Sequence, residues 1–283
     1  MDTRPVTVPE ISGRKNSEKK ITALTAYDYS FAKLLDATDL DIILVGDSLG
    51  MVSLGHENTL AVTMENMIDH TRAVKQGAQR ALVVGDMPFM SYQVSVEQAV
   101  TNAGRLIQEG GASAVKLEGG ARMADRVQAI VQAGIPVMGH IGLTPQSVHQ
   151  FGGYKVQGKN YLDSRQIKQD ARDLQSAGIF ALVLEGIPGE LAEEITAELK
   201  LPTIGIGAGA KCDGQILVLH DLLGLNQDFV PKFVKQYAQL ADSLKNAVAK
   251  YIQEVRTETF PGQEHTYHSK QAKLKQVNDG NRN

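Results

Sequence analysis

Four times along this chain a stretch with helical spacing meets a glycine and then, within a few residues, a short apolar run. The four are "KQGAQRALVV", "QEGGASAVKL", "QAGIPVMGH" and "SAGIFALVL". No other feature limits the fold so strongly. A short run with no polar alternation is the mark of a strand covered on both faces, as in a parallel sheet. Glycine before it closes the preceding helix, because only glycine enters the left-handed conformation without cost, so Gly77, Gly110, Gly134 and Gly178 are expected as helix stops. Apolar runs occur at 21–26, 42–45, 81–84, 114–117, 136–139, 181–184, 203–206 and 216–219. Between most of them the text turns helical. In one such stretch Val96, Val100, Ala103, Leu106 and Ile107 recur at three- and four-residue steps behind Ser95, a candidate N-cap. Eight strands separated mostly by helices, in 283 residues, predict an α/β fold in which a parallel sheet closes into a (β/α)8 TIM barrel. A doubly wound open sheet is the alternative, but no G-x-G-x-x-G fingerprint follows the first strand.

The expected organisation is an N-terminal arm (1–20), one barrel domain with a C-terminal helix (21–260) and a polar tail (261–283). The helix is read from "FVPKFVKQYAQLADSLKNAVAKYIQEV", where Phe233, Tyr237, Leu240, Leu244, Ala247, Tyr251 and Val255 share one face. It is expected to pack on the barrel or on a neighbouring subunit. The tail is expected to be mobile, and His265 and His268 within it to be solvent-exposed. With 42% hydrophobic and 22% charged residues and a net charge of −3, the chain has no electrostatic reason to bind nucleic acid or an anionic membrane. One cysteine, Cys212, rules out an internal disulfide and a multi-thiolate metal site. The first twenty residues hold no apolar leader and no run approaches a membrane span, so a cytoplasmic protein is expected.

Several of the apolar runs end in an acid. "IILVGDSLG" reaches Asp47, "ALVVGDMPF" Asp86, "AVKLEGG" Glu118 and "ALVLEGI" Glu185. In a parallel barrel the carboxyl ends of the strands surround one mouth, where barrel enzymes keep their chemistry. Each acid alone has an ordinary explanation: Asp47 as a helix cap with Ser48, Asp86 as a turn former, Glu118 and Glu185 as solvated loop acids. Their common phase favours a site. Carboxylates crowded together repel, and Lys116 supplies only one positive charge, or else serves as a structural ion pair. Oxygen ligands select a hard divalent cation, and two carboxylates with positions left for water and substrate suit Mg²⁺. Such an ion favours a reaction in which negative charge develops on a substrate oxygen, as when a 2-oxo acid loses a proton beside its keto group. Glu185, set apart from the other acids, is the expected general base.

Other features are less specific. His140 ends the fifth strand and is either a structural histidine or a substrate contact. "IGIGAGAKCDG" after the seventh strand is a tight turn or a phosphate loop. "FGGYKVQGKN", centred on Tyr154 and Lys155, is a candidate cover for the mouth.

Together, "TALTAYDYSFAKL", "LVGDSLGMV", "GDMPFMSY", "VKLEGG", "GHIGLTPQ", "FGGYKVQG" and "IGIGAGAKCDGQILVLHDLLG" resemble the ketopantoate (3-methyl-2-oxobutanoate) hydroxymethyltransferase family, from about Ile21 to the "PGQEHTYH" segment. The resemblance implies a (β/α)8 barrel that transfers a hydroxymethyl group from 5,10-methylenetetrahydrofolate to 3-methyl-2-oxobutanoate, giving 2-dehydropantoate for pantothenate synthesis. It implies that Asp47 and Asp86 bind Mg²⁺, with Glu118 the third acid of the metal site, directly or through water. It also implies that Asp47, Ser48, Asp86 and Lys116 contact the oxo acid and that Glu185 accepts the proton. Members form homo-oligomers, commonly decamers in bacteria. A related Mg²⁺ barrel lyase acting on a 2-oxo acid is the alternative, separated by the requirement for folate. A non-catalytic binder would bind the oxo acid without hydrogen exchange at C3.

Overall fold

A computed structural model describes residues 4–227 and 230–268. The part of the expected tail from 269 onward lies outside the described residues. The chain divides into two units, residues 1–237 and 238–283.

The first unit holds eight parallel strands: β1 (Ile21–Thr25), β2 (Ile42–Val45), β3 (Leu82–Asp86), β4 (Ala114–Glu118), β5 (Val137–Gly142), β6 (Ala181–Glu185), β7 (Thr203–Ile206) and β8 (Gly214–Leu217). They pair in chain order, and β8 closes on β1 through Ile21 opposite Gly214. The expected barrel is therefore formed. Strand alternation sorts its residues into two layers. Ile42, Leu44, Leu82, Val84, Ala114, Met138, Ala181 and Val183 fill the interior. Ile43, Val45, Val83, Val115, Leu117, Leu182 and Leu184 face the surrounding helices.

The helix Val96–Gln108 shows how sequence becomes this outer layer. Ser95 Oγ accepts a hydrogen bond from the Gln98 backbone, and Ala99, Ala103 and Leu106 are buried, with Val100 and Ile107 packed at the edge. The expected glycine stops divide. Gly178 is a left-handed cap at φ 99°, and Gly134 follows its helix at φ 85°. Gly77 instead ends the helix Met64–Gly77 in helical conformation, and the left-handed residue after the next helix is Gly111, not Gly110. Gly77 is small because the helix Tyr29–Asp36 passes against it: a Cβ there would lie 2.5 Å from the Tyr29 carbonyl oxygen.

No helix joins β7 to β8; residues 207–213 descend directly. Asp213 at the bottom of this return is buried, accepting from Thr203 N (3.0 Å) and Asn16 N (3.0 Å) and pairing with Lys15 (2.9 Å). The N-terminal residues belong to the same floor, where Val6 and Ile11 pack with Ile21 and Phe180 in the interior cluster.

The long C-terminal helix is shorter than its periodicity suggests. It covers Leu240–Arg256 and lies in the second unit. Phe233 and Tyr237 precede it. The Phe233 ring lies over Gly207, 2.8 Å from where a Cβ would stand, and Tyr237 N donates to the Leu222 carbonyl (2.8 Å). Those contacts take the segment out of helical geometry despite its spacing. No helix among the described residues is long and apolar enough to cross a membrane.

Candidate active site

The strands carry their interior phase straight into the mouth. Asp86 follows Leu82 and Val84 by twos, Lys116 and Glu118 follow Ala114, His140 follows Met138, and Glu185 follows Ala181 and Val183. A side chain in that phase points inward until the strand ends, so the polar residues stand above the packed interior. Register joins them sideways: Asp86 is opposite Lys116, Glu118 opposite His140, and Glu185 opposite Gly142. Asp47 and Ser48 come from the loop after β2. Asp47, Asp86, Lys116, Glu118 and His140 are buried, while Ser48 and Glu185 are half-buried.

The ordinary explanation for Asp47 and Ser48 does not hold. Ser48 begins the short helix Leu49–Val52 without a side-chain cap, and its hydroxyl meets Tyr27 Oη at 2.9 Å. Asp47 accepts from Gln146 Nε2 through Oδ2 (2.9 Å), and its own backbone N–H donates to Asp86 Oδ2 (3.1 Å). Lys116 Nζ stands 2.8 Å from Asp86 Oδ1 and 3.9 Å from Glu118 Oε1. The ion pair considered for Lys116 is thus present, inside the mouth. Asp86 Oδ1 has no hydrogen bond of good direction, so its contact with the lysine is ionic. His140 bridges two acids, with Nδ1 3.5 Å from Glu118 and Nε2 3.2 Å from Glu185.

Burial in a low-dielectric mouth sets the electrostatics. It pushes the Asp47 carboxyl well above its usual range, and the charges of Asp86 and Glu118 push the same way. Burial also raises Asp86, against the pull of Lys116. Glu118 is lowered: burial opposes this, but His140, Lys116 and the Gln146 backbone N–H outweigh it. Burial and the Lys116 charge press His140 downward, yet Glu118 and Glu185 raise it to about 9. The Lys116 ammonium lies 3.3 Å from His140 Nδ1. At that distance the protonation of one alters that of the other and of the adjoining acids, so these groups titrate as a set.

Four carboxyl groups thus gather around one lysine and one histidine. This donor set fits a divalent cation. Among the described residues no three His, Cys, Asp or Glu side chains are grouped as they would be around one ion. Asp47 and Asp86 are adjacent, whereas Glu118 is engaged on both sides, by Gln146 N at Oε2 (3.0 Å) and by Lys116 and His140 at Oε1. Two carboxylates with the other positions left to water and substrate is the Mg²⁺ pattern.

Sequence reasoning did not single out Gln146 or Tyr92. Tyr92 Oη accepts from Glu118 N (3.1 Å) and approaches Gln146 Oε1 (2.7 Å). Both come from loops, where no periodicity marks an inward residue. Tyr154 Oη reaches Met51 Sδ (3.4 Å), so the loop after β5 extends over the mouth to the loop after β2. Cys212 is buried beside Asp213 at the floor, the end of the barrel opposite the acids.

A profile of the family described as ketopantoate hydroxymethyltransferase matches residues 5–263. A 3-methyl-2-oxobutanoate hydroxymethyltransferase of Syntrophus aciditrophicus is 57% identical, covering 93% of this chain and 97% of its own. One from a Thermoanaerobacter species is 61% identical over 89% of this chain and 92% of its own. Among solved structures, a phosphonopyruvate hydrolase in complex with oxalate and Mg²⁺ aligns with TM-score 0.60 at 12% identity, covering 92% of this chain and 93% of that one. A 2,3-dimethylmalate lyase of the PEP mutase/isocitrate lyase superfamily aligns with TM-score 0.57 at 17% identity, covering 91% and 87%. The two structural likenesses concern the fold alone.

Proposed function

The chain belongs to the ketopantoate hydroxymethyltransferase family, and from that premise we propose how its residues carry the reaction. The enzyme transfers a hydroxymethyl group to 3-methyl-2-oxobutanoate, giving 2-dehydropantoate. The proposed donor is 5,10-methylenetetrahydrofolate and the proposed metal is Mg²⁺, held by Asp47 and Asp86, with Glu118 acting through water. When bound, Mg²⁺ supplies Lewis acidity to the keto and carboxylate oxygens of the oxo acid. Asp47, Ser48, Asp86 and Lys116 bind and orient that substrate, and the Lys116 ammonium faces the keto oxygen as negative charge develops on it. Glu185 takes the proton from C3, with the His140 imidazole beside its carboxylate at 3.2 Å. C3 then bonds to the donor's one-carbon unit, the donor's carbon–nitrogen bonds break, and water provides the hydroxyl oxygen.

The observation that carries this reading is the gathering of Asp47, Asp86 and Glu118 around Lys116 in a buried mouth, with the half-buried Glu185 carboxylate at its edge. The deciding experiment is deuterium wash-in at C3 of the oxo acid, without folate, with and without Mg²⁺. Exchange is expected only with the metal, and Asp47→Ala or Asp86→Ala is expected to abolish it in folded protein. Full exchange after exhaustive chelation would sink the proposal. We also place the enzyme in the cytoplasm as a homo-oligomer, a decamer if it follows the family resemblance. The exposed apolar residues Leu244, Val248, Tyr251 and Val255 on the helix Leu240–Arg256 support an assembly.

A further inference from the structure

Gln146 lies in the short turn Pro145–Ser147 after β5 and is 6% exposed. Its backbone N–H donates to Glu118 Oε2 (3.0 Å). Its side-chain amide donates to Asp47 Oδ2 (2.9 Å) and to the Met87 carbonyl (3.0 Å). On the other side, Oε1 accepts from the Tyr92 hydroxyl (2.7 Å) and Gln93 Nε2 (3.2 Å). Both amide N–H bonds and the amide oxygen are therefore engaged. The amide has one workable orientation, since turning it over would set oxygen against a carboxylate and a carbonyl, neither of which donates.

A buried carboxylate can be held in two ways. A cation holds it and cancels its charge, as Lys116 does beside Asp86. A neutral amide fixes its direction without supplying a counter-charge. Asp47 is held in the second way, next to a carboxylate held in the first. Its Oδ1 takes no hydrogen bond among the described residues, and Asp86 Oδ1 has none of good direction. One turn of chain thus steers Asp47 by its side chain and Glu118 by its backbone.

We propose that Gln146 is a positioning residue for the divalent-cation site, fixing the Asp47 carboxyl through Oδ2 and turning Oδ1 toward the metal position. This rests on the Mg²⁺ reading above. The role differs from general packing. A packing residue supports the fold, whereas this amide also sets how well Asp47 and Asp86 converge on a cation. An apolar side chain of equal length would leave Asp47 free to rotate toward Lys116, and that arrangement competes with the ion.

The test uses the full-length, substrate-free protein and Mg²⁺ alone, titrated by calorimetry, with thermal unfolding in parallel. Gln146→Met keeps the length and the backbone N–H and removes the amide. Mg²⁺ binding is expected to weaken about 10- to 100-fold, the usual loss when a partner of a metal ligand is removed. The unfolding midpoint should stay near that of the unaltered protein, and the Mg²⁺ concentration for half-maximal C3 exchange should rise in the same ratio. Tyr92→Phe removes the hydroxyl beside Oε1 and keeps Gln146, so a smaller shift in the same direction is expected. Unchanged Mg²⁺ affinity in Gln146→Met, with the unaltered protein binding the ion, overturns the assignment and leaves the metal reading standing. No Mg²⁺ uptake by the unaltered protein overturns both. Should Gln146→Met fail to fold, unchanged affinity in Tyr92→Phe overturns the assignment equally.

Discussion

Glu185 differs from the other acids of the mouth in what surrounds it. Asp86 and Glu118 are enclosed by cations and backbone donors, whereas among the described residues the Glu185 carboxylate meets only the His140 imidazole, at 3.2 Å, and stays half-buried at the edge. That suits a group that must reach a substrate hydrogen. Glu185→Gln keeps the shape and removes the basicity, so C3 exchange is expected to slow by about 10²–10⁴-fold, as for loss of a general base. Calorimetric Mg²⁺ binding should be nearly unchanged, because Glu185 touches neither Asp47 nor Asp86. A variant that exchanges at the original rate would move the base elsewhere. Asp86, Lys116, Glu118, His140 and Glu185 were legible because strand alternation assigns an inward phase by counting in twos. Gln146 and Tyr92 follow no such count, since loop backbone aims each side chain separately.

Helix boundaries were legible where local chemistry decides them and hidden where distant packing does. Ser95 and Gly178 act within their own turn, so their types suffice. Gly77 responds to a helix forty residues earlier, which no local pattern reports. Two alanine substitutions separate the cases. At Gly134 (φ 85°) an added Cβ meets nothing within 4 Å, so Gly134→Ala should cost about 1–2 kcal/mol, the strain of a left-handed residue. At Gly77 the Cβ would lie 2.5 Å from a backbone oxygen and 2.9 Å from Ala32 Cβ, so Gly77→Ala must shift one helix, for about 1–3 kcal/mol. Urea unfolding should give both losses, and adding the next methyl group should widen the gap. C3 exchange per folded molecule should hold in each, because neither position touches the mouth. The segment before Leu240 teaches the same lesson, since helical spacing alone placed Phe233 and Tyr237 on a helix that their contacts with Gly207 and Leu222 prevent.

The barrel has two ends with different electrostatic tasks. At the floor, each buried acid has its partners within the fold. Burial pushes the Asp213 carboxyl up, but the Thr203 N–H and the Lys15 ammonium outweigh it and hold it below the ordinary range. A carboxylate lowered by folding stabilises the native state above its unfolded pKa, and that stability is lost as pH falls through the folded one. Asp213→Asn should therefore cost about 2 kcal/mol at neutral pH, in the range for hydrogen bonds to a charged group. Its stability should also decline less than the original's on acidification below about pH 4. Parallel declines would show that Asp213 does not carry this linkage. At the mouth four acids gather around one lysine and one histidine, and burial holds Asp47 and Asp86 above the ordinary range. Apolar runs, helical periods and glycines, all local properties of the chain, sufficed to determine eight strands, their order of appearance and the inward phase of the acids. Barrel closure brought residues 47, 86, 118 and 185 around one volume, and only that closure decided which were neutralised by Lys116 and His140, and which loop residue would hold Asp47. Charge and direction at a buried site depend on neighbours far away in the chain, and those neighbours exist only once the sheet has closed.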